Sequence, residues 1–371
     1  MNQPSEETRG SKILKKINAL PIKPTFRILN VCGGHERTIT MSGLRNILPD
    51  SIELIPGPGC PVCVCPEEDI YLAIQLALNE DITLLAFGDM LRVPVNVKKH
   101  QCKTLIQAKS AGANIQAIAS PLDALKVAEQ NPQKKHVFFS TGFETTTAPV
   151  AAMLKQGIPE NLSILLSGRR TWPAVEALLN EDQNAYDGLI APGHVATVMG
   201  AEEWQFVVTN YKHPTAVAGF TAESLLTALY SLIRQHIEDQ CFLDNCYPDV
   251  VKPDGNNVAR TCLNEVMDIV DANWRGIGII RESGFQLNET YQHYDARMQF
   301  DWINRNNRQT MDMPHGCDCA KVLLGKIYPN QCRLYDTACK PQSPIGPCMV
   351  SDEGACHIWW QGGIERTDKA V

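Results

Sequence analysis

Short apolar runs alternate with glycine-ended turns along the first two-thirds of the chain. Residues 26–31 (FRILNV) stop at Cys32-Gly33-Gly34, residues 51–55 (SIELI) at Pro56-Gly57-Pro58-Gly59, and residues 82–87 at Gly88-Asp89. Runs of this length bounded by turn residues read as buried strands. Between the second and third, Pro66 suits the opening of a helix. Glu67, Glu68 and Asp69 fill its first turn, where unpaired N–H groups favour negative charge. Ile70, Ala73, Ile74, Ala77 and Leu78 then share one helical face. The order returns further on. Residues 137–140 lead to Gly142-Phe143-Glu144-Thr145-Thr146, residues 186–191 to Pro192-Gly193-His194, and residues 215–218 to Gly219-Phe220. A helix over 222–238 follows.

Strands alternating with helices predict mostly parallel sheets. Gly34-His35-Glu36-Arg37-Thr38 is echoed by Gly142-Phe143-Glu144-Thr145-Thr146, and Ile55-Pro56-Gly57 by Ala191-Pro192-Gly193. The expected fold is therefore α/β: two related Rossmann-like parallel-sheet units around a cleft, plus a small cysteine-rich region. The boundaries read as an extension over 1–24, a first unit over 25–120, a second over 121–240, and a C-terminal region over 241–371. In parallel sheets the strand C-terminal ends line the ligand crevice, and each glycine motif sits at such an end. From about Pro314 periodicity fades and cysteine and proline dominate, which suggests a region held by metal rather than by apolar packing.

Composition narrows the function classes. Formal net charge is −7, and no basic stripe with interleaved aromatics occurs, so nucleic acid is not an expected partner. No window approaches the apolar length of a membrane span. Residues 1–21 lack a signal-like apolar core, and the expected location is the cytoplasm. There, the 14 cysteines point to metal binding or redox chemistry rather than structural disulfides. Four fall between Cys32 and Cys65 and six between Cys317 and Cys356. Cys102, Cys241, Cys246 and Cys262 are scattered and read as small buried hydrophobes.

Cys60 and Cys63 form a Cys-x-x-Cys just before a helix start. The spacing suits a tight disulfide or a shared metal, and the helix end favours the thiolate. Structural zinc competes, although it asks for four ligands. Cys65 reads as a bystander or a third soft ligand. Cys32 stands alone at a strand end beside glycines that let a ligand approach, where a thiolate suits iron; a turn cysteine without function is the plainer reading. His35, three residues on, suits an acid/base or supporting role. Cys317, Cys319, Cys332, Cys339, Cys348 and Cys356 are dense enough for a metal site. Four thiolates hold a [4Fe–4S] cluster, and zinc is the alternative on spacing alone.

The ordered motifs CGGH at 32–35, GPGCPVC at 57–63, GDMLRVP at 88–94, SPLDAL at 120–125, GFETT at 142–146, APGHV at 191–195, WRGIG at 274–278 and GPCMVSDEGAC at 346–356 resemble the HypD family of hydrogenase maturation proteins. The resemblance implies a scaffold and redox assembly factor for the Fe(CN)2CO unit of [NiFe]-hydrogenase, rather than a conventional turnover enzyme. It implies a HypC-type small partner, a HypE-type cyanide donor and, indirectly, the hydrogenase large subunit. By the same resemblance Cys32 ligates the iron, and Cys60 and Cys63 pass electrons between cluster and iron. Cys319, Cys332, Cys339 and Cys356 hold the [4Fe–4S] cluster, leaving Cys317 and Cys348 as spares. Loops bearing Glu144, Thr145 and His194 line the iron site, with Glu144 and His35 as assisting groups.

The chain departs from the family pattern twice. Arg37 stands where the first motif usually carries a second histidine. The stretch Ser167-Gly168-Arg169-Arg170-Thr171-Trp172 replaces an Ala-His-Lys-like one, and its arginines read either as an anion site or as solvated loop residues. Alternative functions are an iron–sulfur thiol–disulfide oxidoreductase, a divergent paralogue serving another iron cofactor, or a zinc-stabilised binding module.

Overall fold

The computed structural model describes residues 8–182, 184–300 and 313–367. In chain order the strands among these are β1 (Phe26–Asn30), β2 (Ile52–Pro56), β3 (Ile82–Phe87), β4 (Ile115–Ile118), β5 (Lys135–Gly142), β6 (Leu162–Arg169), β7 (Gly188–Pro192), β8 (Thr215–Ala218), β9 (Leu243–Asn245), β10 (Met267–Trp274) and β11 (Gly278–Leu287). They form two sheets, one in each of two compact units.

The first unit comprises Met1–Gly59 and Val175–Asn256. Its sheet runs β2-β1-β7-β8-β9 and is parallel throughout. Phe26 pairs with Ile52 and Asn30 with Pro56, so β1 and β2 end level. The helix Ala222–Ile237 is capped by Thr221, whose side chain accepts from the Ser224 N–H. It lays Leu225, Leu229, Leu232 and Ile233 into a core shared with Phe26, Ile28, Ile39 and Ile190. The N-terminal helix Arg9–Asn18 packs on it and buries Ile17.

The second unit comprises Cys60–Ala174 and Asn257–Val371. Its sheet runs β10-β11-β6-β5-β3-β4. Strands β4, β3, β5 and β6 are parallel, and the antiparallel hairpin β10–β11 joins through β6. Strand β6 is buried along its whole length. That matches a central strand covered on both faces. The cysteine-rich segment belongs to this unit and carries only short helical turns.

The α/β class and most strand positions agree with the sequence reading; β3 spans the same residues. The unit boundaries differ. The strands do not divide at residue 120: β1 and β2 share a sheet with β7 and β8, and β3 shares one with β5. A strand apolar on both faces carries no mark of its neighbour, so short echoes at the glycine ends do not reveal which strands pair.

Candidate functional site: strand-end loops and a cysteine pocket

In the first unit, Cys32 follows β1 and stands immediately before the helix Gly33–Met41. The Gly33 N–H donates to the Gly59 carbonyl at 3.1 Å, tying the GPG loop after β2 to the loop after β1. A side chain at Gly59 would overlap the backbone of Cys32, so only glycine allows this approach. Cys32 is half-buried. A Cβ on Gly34 would stand 2.9 Å from the Phe220 ring and 3.7 Å from the Cys32 sulfur, which places Phe220 beside the cysteine.

Phe220 in turn gathers two histidines. His194 stacks on it with ring centroids 3.7 Å apart, and His35 lies tilted at 4.9 Å. His35 is fully buried, and its Nε2 is 3.0 Å from the Ala218 carbonyl. Burial, reinforced by His194, lowers its pKa to about 4, so at neutral pH the ring is uncharged and Nε2 carries the proton. That makes His35 a fixed neutral group rather than a readily charged acid. His194 is exposed and is also lowered by partial desolvation. Arg37 is exposed as well. Thus Cys32, His35 and His194 do come together at the strand C-terminal ends of this unit.

In the second unit Cys60 and Cys63 are joined as a disulfide. Cys60 sits at the cap of the short helix Pro61–Val64, and its sulfur accepts from the Cys63 N–H at 3.2 Å. Cys65, left open by the sequence, is buried. Its thiol lies 3.4 Å from the Ser167 hydroxyl and 3.8 Å from that of Thr141. Burial and the nearby Asp69 push it up to about 12, so it is a locked neutral thiol. Asp69 accepts from Ser167 at 2.7 Å and pairs with Arg297 at 2.7 Å. Burial opposes its ionisation, but Arg297 and Arg169 hold its carboxyl below the ordinary range.

Glu144 begins the helix after β5 and is buried. Its two oxygens accept from the Thr171 N–H and hydroxyl, each at 2.7 Å. In this position it ties the loops after β5 and β6 together, while Thr145 beside it is half-buried. The two arginines separate. Arg169 is buried and donates to the Asn273 carbonyl at 2.8 Å. Arg170 is half-buried, donates to the Glu282 carbonyl and lies over the Trp172 ring.

Cys317, Cys319, Cys332, Cys339, Cys348 and Cys356 line one pocket, together with Leu334, Tyr335 and Met349. The two spares therefore join the four chosen ligands, which spacing alone did not disclose. Burial opposes ionisation of Cys319, yet hydrogen bonds from Cys317 and Cys348 and the charge of Arg275 hold it well below the usual thiol range. Those contacts and burial push Cys317 and Cys348 up. The Ile345 N–H points at the Cys339 sulfur at 3.3 Å. Among the described residues, no three His, Cys, Asp or Glu side chains converge as a single metal ion needs. The helix Pro61–Val64 packs against the turn Pro347–Met349 that contains Cys348, so disulfide and pocket lie in neighbouring elements. No helix among the described residues is long and apolar enough to cross a membrane.

A family model described as "HypD: Hydrogenase formation hypA family" matches residues 9–363. The "Hydrogenase maturation factor HypD" of Escherichia coli is 38% identical over 340 residues, covering 91% of this chain and 89% of that protein. A "Putative hydrogenase expression/formation protein" of Methanocaldococcus jannaschii is 38% identical over 354 residues, covering 94% and 96%. The "Hydrogenase maturation factor HypD" of Rhodobacter capsulatus is 36% identical over 360 residues, covering 96% and 94%.

Proposed function

The chain belongs to the HypD family, and from that premise we propose that it is a cytoplasmic hydrogenase maturation factor that holds iron while the Fe(CN)2CO unit is built on it. Iron is the cargo, carried by Cys32 together with a HypC-type small partner and supplied with cyanide by a HypE-type donor. The observation that carries this reading is the grouping of the thiols. Cys32 stands half-buried among the glycine loops at the strand ends of the first unit, and six cysteines surround a pocket in the second, beside a Cys-x-x-Cys disulfide.

The pocket suits a [4Fe–4S] cluster in its chemistry. The donors are soft sulfurs, the other lining is largely apolar, and a backbone N–H already points at one sulfur. Cys319, Cys332, Cys339 and Cys356 are the ligands we assign. Bound there, the cluster supplies single electrons. Around it, hydrogen bonds from Cys317 and Cys348 and the Arg275 charge favour the Cys319 thiolate, and Leu334 and Met349 give the pocket an apolar wall. The Cys60–Cys63 pair opens on accepting two electrons and two protons, one thiol forming at each sulfur. In the first unit, neutral His35 and stacked Phe220 hold the loop of Cys32 in place for iron.

Iron and acid-labile sulfide analysis of anaerobically purified protein tests the pocket. About four of each per chain is the expected result; zinc without iron contradicts it. The packing of the disulfide helix on the Cys348 turn also favours a second reading, an iron–sulfur thiol–disulfide oxidoreductase. Under that reading Cys60 and Cys63 would receive two electrons, one at a time, from an external one-electron donor by way of the cluster that the pocket cysteines would hold, yet the protein captures no iron with its partner.

A further inference from the structure

Arg275 and Glu67 are buried charges that the proposed function leaves without a task. Both side chains are 0% exposed, and Nη2 of the arginine lies 3.5 Å from the carboxylate. The same nitrogen donates to the Pro94 carbonyl at 2.8 Å, and Asn96 donates to Glu67 at 2.7 Å. A guanidinium keeps its charge even when buried. A buried ion pair contributes little net stability compared with apolar side chains of equal volume, so stability alone does not account for it.

Its place in the unit does. The Arg275 N–H donates to the carbonyl of Val64 at 3.0 Å, and Val64 ends the helix that carries Cys63. The next residue, Gly276, has φ +73, and a Cβ there would stand 2.9 Å from the Cβ of Ala320. Ala320 follows Cys319 in the helix Cys319–Leu323. The segment bearing Arg275 therefore touches both the disulfide helix and the helix that opens with a pocket cysteine.

We propose that Arg275 is a positioning residue for electron transfer, a fixed positive charge between the Cys60–Cys63 helix and the cysteine pocket that favours the reduced pocket, with Glu67 limiting that bias. The inference rests on the pocket holding an iron–sulfur cluster. A four-thiolate cluster becomes more negative by one charge when it takes one electron from a one-electron donor, and no bond is made or broken. A buried cation nearby stabilises the product more than the starting state, and a buried anion does the reverse.

The test is an anaerobic dithionite titration of the full chain, with the reduced cluster followed by electron paramagnetic resonance. Arg275→Gln should lower the equilibrium constant for reduction at least tenfold, about 59 mV for a one-electron couple. Glu67→Gln should move the potential upward. Arg275→Lys, which keeps the charge, should stay within about threefold of the wild type. Both glutamine variants moving the same way, or neither moving while the cluster is retained, overturns the proposal. Should Arg275→Gln fail to fold, Glu67→Gln decides alone: an unchanged or lowered potential overturns it. A wild-type chain with no cluster instead overturns the underlying reading, a result distinct from an unmoved potential, and the role of Arg275 falls with it.

Discussion

His194 stacks on Phe220 with ring centroids 3.7 Å apart, and the same phenyl ring lies against Gly34, two residues from Cys32. One aromatic side chain from the loop after β8 thus organises two other strand-end loops. Phe220→Ala should lower unfolding stability by roughly 1–3 kcal/mol, a half-buried aromatic's share of packing and ring contact. Urea denaturation reads this directly, and an unchanged midpoint contradicts it.

His35 predicts a pH dependence. Its folded pKa of about 4 lies below the ordinary 6.5, so between those values the unfolded chain binds more protons. This residue's contribution to stability is therefore constant above about pH 6.5 and declines as pH falls toward 4. The limit is on the order of 3 kcal/mol. Thermal unfolding of wild type and His35→Gln across this range isolates the effect. The variant should lose part of the acid slope, and equal slopes would contradict the assignment.

Glu144 should behave as a structural carboxylate. Glu144→Ala leaves the buried Thr171 N–H and hydroxyl without these acceptors, at a cost of about 2–4 kcal/mol. Glu144→Gln keeps one acceptor and should cost less. Denaturation midpoints give the ranking. Full stability in Glu144→Ala together with lost maturation activity would instead mark a direct chemical role.

Much of this arrangement is legible in the sequence. The helix after Pro66 is announced by its acidic first turn and its apolar face, and β3 is bounded by Asp81 and Gly88. The strand-end placement of Cys32, His194 and Phe220 follows from apolar runs that stop at glycine. What is not legible depends on distant pairings. Strands β1 and β7 lie side by side although about 160 residues separate them. Arg275 finds Glu67 across 208 positions, and its motif marked only a family likeness. The spares Cys317 and Cys348 could not be placed in the pocket either, because the turns that fold them inward have no periodicity to read.

The thiols should separate cleanly by unit. Cys32→Ala should retain the cluster's visible absorbance and lose iron-unit assembly, since Cys32 belongs to the first unit and the pocket to the second. Cys339→Ala should lose iron and sulfide and destabilise the C-terminal segment. Bleaching in Cys32→Ala, or unchanged iron and sulfide in Cys339→Ala, contradicts the respective assignment.

The central claim is that iron is dressed with cyanide and carbon monoxide while this protein holds it. Infrared spectroscopy of the anaerobic protein co-purified with its small partner tests that most directly, because proteins are silent where these ligands absorb. The account predicts cyanide and carbonyl stretches that vanish in Cys32→Ala. A blank window in the wild-type complex, with the cluster intact, would contradict it.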